Sequence, residues 1–236
     1  MSSPSNFITV IPCQRINLQG NERFFNEITS KQIYQKLIER KIKPPAGLVH
    51  WYEEFDIDES DIAVGFTFSF KCTKSTFDRT FQYKIMTHIL PTNQYLSRYR
   101  IRDSNICSKC DQLPDTVSHC LWSCQLLVPY INNFVEYLKL NCKIQENFGV
   151  VPYIFGFENN PALNHIFLEL KKELFYNFDQ NVSPVAFCEQ VLNNIRKIMV
   201  KEKQCIKSDK MFDLYLEKWE KFTLIYDFRG PDLNIV

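Results

Sequence analysis

Cys107, Cys110, His119 and Cys124 fall within eighteen positions and share the spacing C-x2-C-x8-H-x4-C. Three thiols and an imidazole are the donors that a structural zinc site takes in a tetrahedron. A two-residue gap lets Cys107 and Cys110 bind one ion from a single tight turn. An H-x4-C pair can converge on the same ion from a turn or one helical winding. Four protein ligands leave no open position for water or substrate, so the chemistry predicted is one structural Zn²⁺ and no turnover. Cys120 follows His119 directly and is an alternative to His119 or Cys124 as a ligand. The H-x4-C pair is preferred because it closes a zinc knuckle. A disulfide framework would suit a secreted chain, but the N-terminus, Met-Ser-Ser-Pro-Ser-Asn, has no basic segment followed by an apolar stretch,. Nine cysteines is also an odd number. Cys13, Cys72, Cys142, Cys188 and Cys205 are scattered, as small buried hydrophobes are.

Other chemistries lack their residues. There is no G-x4-GK[ST] phosphate loop, no G-x-G-x2-G and no G-x-S-x-G elbow,. The four histidines lie far apart, and His50 and His165 stand among apolar residues as core or surface groups. Asp56, Asp58 and Ser60 alternate like the start of a calcium loop. The pattern fails at the sixth position, Asp61, and at the twelfth, Thr67, so the run reads as a turn or helix cap,. The chain is expected not to be an enzyme and to take no small-molecule substrate.

The net charge of +1 names no partner, but its distribution is uneven. Residues 71–110 carry eight basic side chains against Asp78 and Asp103, while the remainder is mildly acidic. Lys84, Arg98, Arg100, Arg102 and Lys109 are the candidates for contacting phosphates, with release of counterions. Tyr95 or Tyr99 could stack on unpaired bases. An extended stretch after Tyr99 would place Arg98, Arg100 and Arg102 on one face and Tyr99 and Ile101 toward the core. The competing reading is a solvated helix face over buried aromatics.

The elements that must position these residues are mostly helical. Twenty Phe and eleven Tyr against six Gly, in a chain of 236 residues, describe an aromatic-packed helical protein. The first 28 residues read as an extension, with Phe7–Ile11 and Arg15–Leu18 as short strands or extended chain and a turn at Gly20-Asn21. A helix is expected from Ser30, with Ile33, Tyr34, Leu37 and Ile38 at helical spacing, ended by Pro44-Pro45. A short helix should carry Leu48, Trp51, Tyr52 and Phe55. Ser75 to Asp78 resembles a capping box that opens a helix with Phe77, Phe81, Ile85 and Ile89 on one face, stopped by Pro91. Thr92 caps a short helix, and Asp115 is expected to cap the winding that presents His119. Val128, Ile131, Phe134, Val135 and Leu138 form the next stripe. Three more helices follow: one opened by Pro161 with Leu163, Ile166, Phe167, Leu170 and Leu174 inward, one by Ser183-Pro184 burying Phe187, Val191, Ile195, Ile198 and Met199, and one by Ser208-Asp209 with Phe212, Tyr215, Leu216, Trp219 and Phe222 as its stripe. The expected architecture is therefore mainly α, a helical domain built around a small CCHC knuckle. Its divisions are an N-terminal extension (1–28), a knuckle-containing helical region (29–145) and a C-terminal helical region (146–236). No apolar run reaches the roughly 18 residues of a membrane span, so the chain reads as intracellular, in nucleus or cytoplasm, with no membrane partner.

The knuckle sits in a longer pattern. Phe81-Gln82-Tyr83-Lys84-Ile85 is followed by Leu90-Pro91-Thr92, Leu96, Cys107-Ser108-Lys109-Cys110, Asp115-Thr116, His119 and Cys124. This resembles the zinc-binding region that follows the reverse transcriptase in non-LTR (LINE-type) retrotransposon polyproteins. Ser30 to Tyr34, Pro184 to Met199 and Trp219 to Phe222 extend the resemblance over residues 28–224. It departs from the family in having Cys120 where a bulky hydrophobic residue commonly follows the His. No Asp-Asp pair of a polymerase and no endonuclease-like set of His and carboxylates is present.

The resemblance implies a non-catalytic, reverse-transcriptase-associated zinc-binding domain. It implies binding to element RNA or an RNA–DNA template, and association with a separate reverse transcriptase core. The alternatives are a zinc-stabilised protein-interaction or scaffolding module, and a decayed element fragment without present function.

Overall fold

The computed structural model describes residues 15–18, 21–24, 29–32, 46–222 and 225. The chain divides into two compact units, Met1–Pro44 and Pro45–Val236. In the first, β1 (Arg15–Leu18) and β2 (Asn21–Phe24) pair antiparallel, with Arg15 opposite Phe24 and Leu18 opposite Asn21. A helical turn starts at Ser30, but Thr29 caps it rather than Ser30. The Thr29 hydroxyl accepts from the Gln32 N–H at 3.3 Å, and the Thr29 N–H donates to the Gln32 side chain at 2.9 Å. This is a reciprocal capping box. The expectations for residues 7–11 and 33–45 lie outside the described residues.

The second unit is mainly helical, as the composition predicted. The boundary expected at 145/146 falls inside it. Its helices are α1 (Ala46–Glu54), α2 (Glu59–Cys72), α3 (Thr76–Met86), α4 (Asn93–Arg98), α5 (Val128–Cys142), α6 (Val150–Phe155), α7 (Pro161–Tyr176), α8 (Pro184–Gln204) and α9 (Asp209–Trp219). The caps read from sequence hold at Ser75, Thr92, Ser183 and Ser208, whose side chains each accept a backbone N–H of the first turn,. The acidic run is a cap as well. Asp58 accepts from the Asp61 N–H and Asp61 closes back on Asp58.

Helix α7 is the centre. It packs against α2, α3, α8 and α9. Leu163, Ile166, Phe167, Leu170 and Leu174 are buried as expected, but so are His165, Glu169, Lys171 and Glu173. Trp51 of α1 is fully buried, donates its indole N–H to the Met86 carbonyl at 3.0 Å, and meets the Phe155 ring edge-on. The approach of α1 to the end of α3 requires Gly47. A Cβ there would lie 2.4 Å from the Thr87 carbonyl oxygen.

Two predicted faces are displaced. The buried face of α3 is Asp78, Phe81, Gln82, Ile85 and Met86, while Phe77 and Ile89 are exposed, and the helix ends at Met86 ahead of Pro91. The face rotates because its polar residues have buried partners on α7. Gln82 accepts from Lys171 Nζ at 2.9 Å and donates to the carbonyls of Gly65 and Ile154. Asp78 lies 2.7 Å from Lys172 Nζ, which is 2.6 Å from Glu169. On α9 only Trp219 of the predicted stripe is buried within the helix, whereas Phe212 and Leu216 are exposed.

The end of α9 is held by polar contacts. Lys218 Nζ donates to the Cys72 carbonyl at 2.6 Å and to Glu202 at 2.7 Å, and lies 3.0 Å from His165 Nδ1. Trp219 donates to Glu202 at 2.7 Å. Burial, with Lys218 and Lys172 adding to it, holds the His165 pKa well below the ordinary imidazole value. The neutral ring therefore accepts from Lys218.

Candidate metal centre

The chain between α4 and α5 folds into two pieces that face each other. The first is a short hairpin. Ile106 and Pro114 form an antiparallel bridge, and the Cys107 N–H donates to the Leu113 carbonyl at 2.8 Å. Inside it the Asp111 N–H returns to the Cys107 carbonyl at 2.9 Å, with Asp111 at φ 52°. This turn directs Cys107 and Cys110 to one point.

The second piece is a π-helical turn, His119–Ser123. In an α-helix, residues five apart would be rotated about 140° from each other. Here the Cys124 N–H donates to the His119 carbonyl at 3.0 Å, so the two ligands stand on one side of the winding,. Thr116, not Asp115, caps the winding, its hydroxyl accepting from the His119 N–H at 2.9 Å. Asp115 instead accepts from the Asn93 N–H at 2.7 Å, and the Asn93 amide donates to the Ile106 carbonyl at 2.7 Å. These two bonds tie the knuckle to the start of α4. Ser118 hydrogen-bonds Glu54, which ties it to α1. Of these anchors the sequence singled out only Asp115, and for another role; Asn93, Ser118 and Glu54 have no pattern of their own.

The ligand atoms of Cys107, Cys110, His119 and Cys124 all lie within 4.8 Å of one another, and Cys110 Sγ is 3.3 Å from His119 Nε2. A tetrahedral ion with metal–sulfur bonds near 2.3 Å sets its donors about 3.8 Å apart. The four residues can therefore hold a metal ion. Cys120 is not among them. Its buried thiol donates to the Val117 carbonyl, and burial raises its pKa well above the ordinary thiol value.

Burial pushes the Cys107 thiol up to about 12 and raises that of Cys124. Cys110 is lowered: burial acts against ionisation, and the N–H groups of Leu113 and Gln112 together with the Cys107 and Cys124 thiols outweigh it. Burial lowers the His119 pKa, which keeps the ring neutral and able to ligate,.

The basic residues are partly as predicted. Arg98, Arg100 and Arg102 are all exposed, and no carboxylate among the described residues pairs with them. Glu53 faces His50, Glu54 reaches Ser118, and Asp58 and Asp61 cap α2. Lys84, in the last turn of α3, and Lys109, inside the knuckle turn, are half-buried. The extended stretch after Tyr99 is absent. The Arg100 N–H donates to Ser97 and the Ile101 N–H to Leu96, with Arg100 at φ 58°. This tight turn sends the apolar side chains outward too, leaving Tyr99 63% and Ile101 68% exposed. The Tyr95 and Tyr99 rings lie 5.1 Å apart, tilted by 51°.

No protein-family model, curated protein or solved structure matches the chain. Among the described residues, no helix is long and apolar enough to cross a membrane.

Proposed function

We propose that the chain is a non-catalytic, zinc-stabilised nucleic-acid-binding module of the kind that follows the reverse transcriptase in LINE-type retrotransposon polyproteins. Zn²⁺ fits the donor set, since three thiols and an imidazole form a soft, closed site. Cys107, Cys110, His119 and Cys124 would hold it, and its contribution would be to the fold. The observation that carries the nucleic-acid reading is the placement of Arg98, Arg100 and Arg102, exposed and without carboxylate partners among the described residues, on the turn leading into the knuckle. Unpaired guanidinium groups suit phosphates, and exposed Tyr99 suits an unpaired base. RNA or an RNA–DNA hybrid is the ligand this surface would take.

The test is binding of the zinc-loaded chain to a single-stranded RNA and an RNA–DNA hybrid across a salt series. The reading expects affinity that falls steeply with salt, as released counterions require. Binding that is absent at low salt would overturn it.

A second reading, a protein-interaction module packing on a separate reverse transcriptase core, is favoured by Ile101 and Leu113, apolar and exposed beside the knuckle. Under that reading, Ile101→Ser would weaken capture of the polymerase and leave RNA affinity unchanged.

A further inference from the structure

Helices α5 and α8 pack side by side and leave an open groove of about 500 Å³ between them. Its apolar lining includes Leu140 of α5 and Val185 and Leu192 of α8. Leu192 is buried in the floor, but Leu140 is 71% and Val185 59% exposed. Each wall also carries one exposed carboxylate, Glu136 on α5 and Glu189 on α8, and neither has a cationic partner among the described residues. Arg196, at one end of the lining, is engaged by the Asn193 side chain and the Ile225 carbonyl.

We propose that this groove is a docking site for a basic amphipathic helix of a partner protein. Both walls are α-helices, which offer no strand edge for an added strand to pair with,. The lining spans residues 133–141 on one helix and 185–196 on the other. At 1.5 Å per residue that is about 12 to 16 Å, or two to three turns of an incoming helix. Apolar side chains at i, i+3 and i+4 of that helix would cover Leu140 and Val185, as a third helix fills the furrow between two others. Lys or Arg side chains on its flanks would meet Glu136 and Glu189. The same carboxylates repel phosphate, so this face is distinct in chemistry from the arginine turn.

The test uses the full zinc-loaded chain, isotope-labelled for NMR, and a synthetic 14-residue helical peptide. The peptide carries Leu at i, i+3, i+4 and i+7 and Lys on both flanks, and its control has Glu in place of every Lys. The proposal expects amide shifts at positions 136, 140, 185 and 189, with the Lys peptide binding about tenfold more tightly than its control. Glu136→Lys with Glu189→Lys should reverse that preference, and Leu140→Asp should weaken both peptides. These residues are exposed, so the variants should keep their helical signal and zinc content. Shifts confined elsewhere on the chain, no shifts at millimolar peptide, or equal affinity for the two peptides would each overturn the proposal.

Discussion

The Cys124 N–H donates to the His119 carbonyl across five residues, and this single π-type bond places the second pair of candidate metal donors on one side of its winding. In a regular α-helical winding the same spacing would turn Cys124 about 140° from His119, and the wider π turn removes that offset,.

The first prediction separates ligands from neighbours. Cys124→Ser should lose zinc, whereas Cys120→Ser should keep one equivalent. The measurement is elemental analysis of freshly reduced protein. Retention of zinc by Cys124→Ser together with its loss from Cys120→Ser would reverse the ligand assignment. Metal binding to a structural site of this class contributes on the order of 10–16 kcal/mol in small peptides. The loss should therefore loosen residues 100–125 well before the helices melt.

A second prediction concerns the arginine turn. Replacing Arg98, Arg100 and Arg102 together with Gln should weaken RNA binding whatever its sequence and lower the salt slope by roughly 2–3 units. Zinc content should not change. An unaltered salt slope would remove these side chains from the interface.

Legibility in the sequence followed the range of the interactions. The ligands were readable because a turn and a winding bring them together within eighteen residues. The caps at Thr92, Ser183 and Ser208 were readable because a cap acts on its own first turn. The buried face of α3 was not, because Asp78 and Gln82 are inward only by virtue of Lys172 and Lys171, about ninety positions away. Helix α2 was equally hidden. Its run from Ile62 to Phe70 has apolar residues on every side and includes Gly65, where a Cβ would crowd Met86 and Phe155. The turn after Tyr99 defeated a period-two pattern, because left-handed Arg100 interrupts the alternation.

Lys171 sets a third prediction. It is fully buried, its Nζ donating to Gln82 and the Ile154 carbonyl, and burial lowers its pKa to about 7. The unfolded chain keeps an ordinary lysine and so binds more protons between pH 7 and about 10.5. Stability should therefore rise with pH through that window, by at most about 1.4 kcal/mol per unit from this group. Below pH 7 its penalty is fully present. Denaturant titrations at pH 7 and 9 should give Lys171→Met a shallower rise than the parent chain. Equal slopes would mean that Lys171 is already charged in the folded state at pH 9.

A fourth prediction tests the Lys218 cluster. Lys218→Met leaves Glu202 without its cation, His165 Nδ1 without its donor and the Cys72 carbonyl without its partner. With Glu202 partly solvated, the loss should be about 3 kcal/mol, near the lower end for breaking a buried pair. Adding Glu202→Gln should restore part of it, read as the midpoint of chemical denaturation. A double variant less stable than the single one would show that Glu202 acts through something other than Lys218.

The Lys218 contact with the Cys72 carbonyl joins residues 146 positions apart, and that sets an order of events during synthesis. At the roughly 5–20 residues per second of a ribosome, about seven to thirty seconds pass between the emergence of α2 and the arrival of the side chain that closes its end. Late in that interval α2, α3 and most of α7 are outside the ribosome while the Cys72 carbonyl still lacks its partner. Nascent chains arrested at residue 205 should accordingly be cut by protease within residues 59–86 faster than the released full chain. Helix α9 thus reaches a core whose other parts were made long before it, and Lys218 closes the open end of α2.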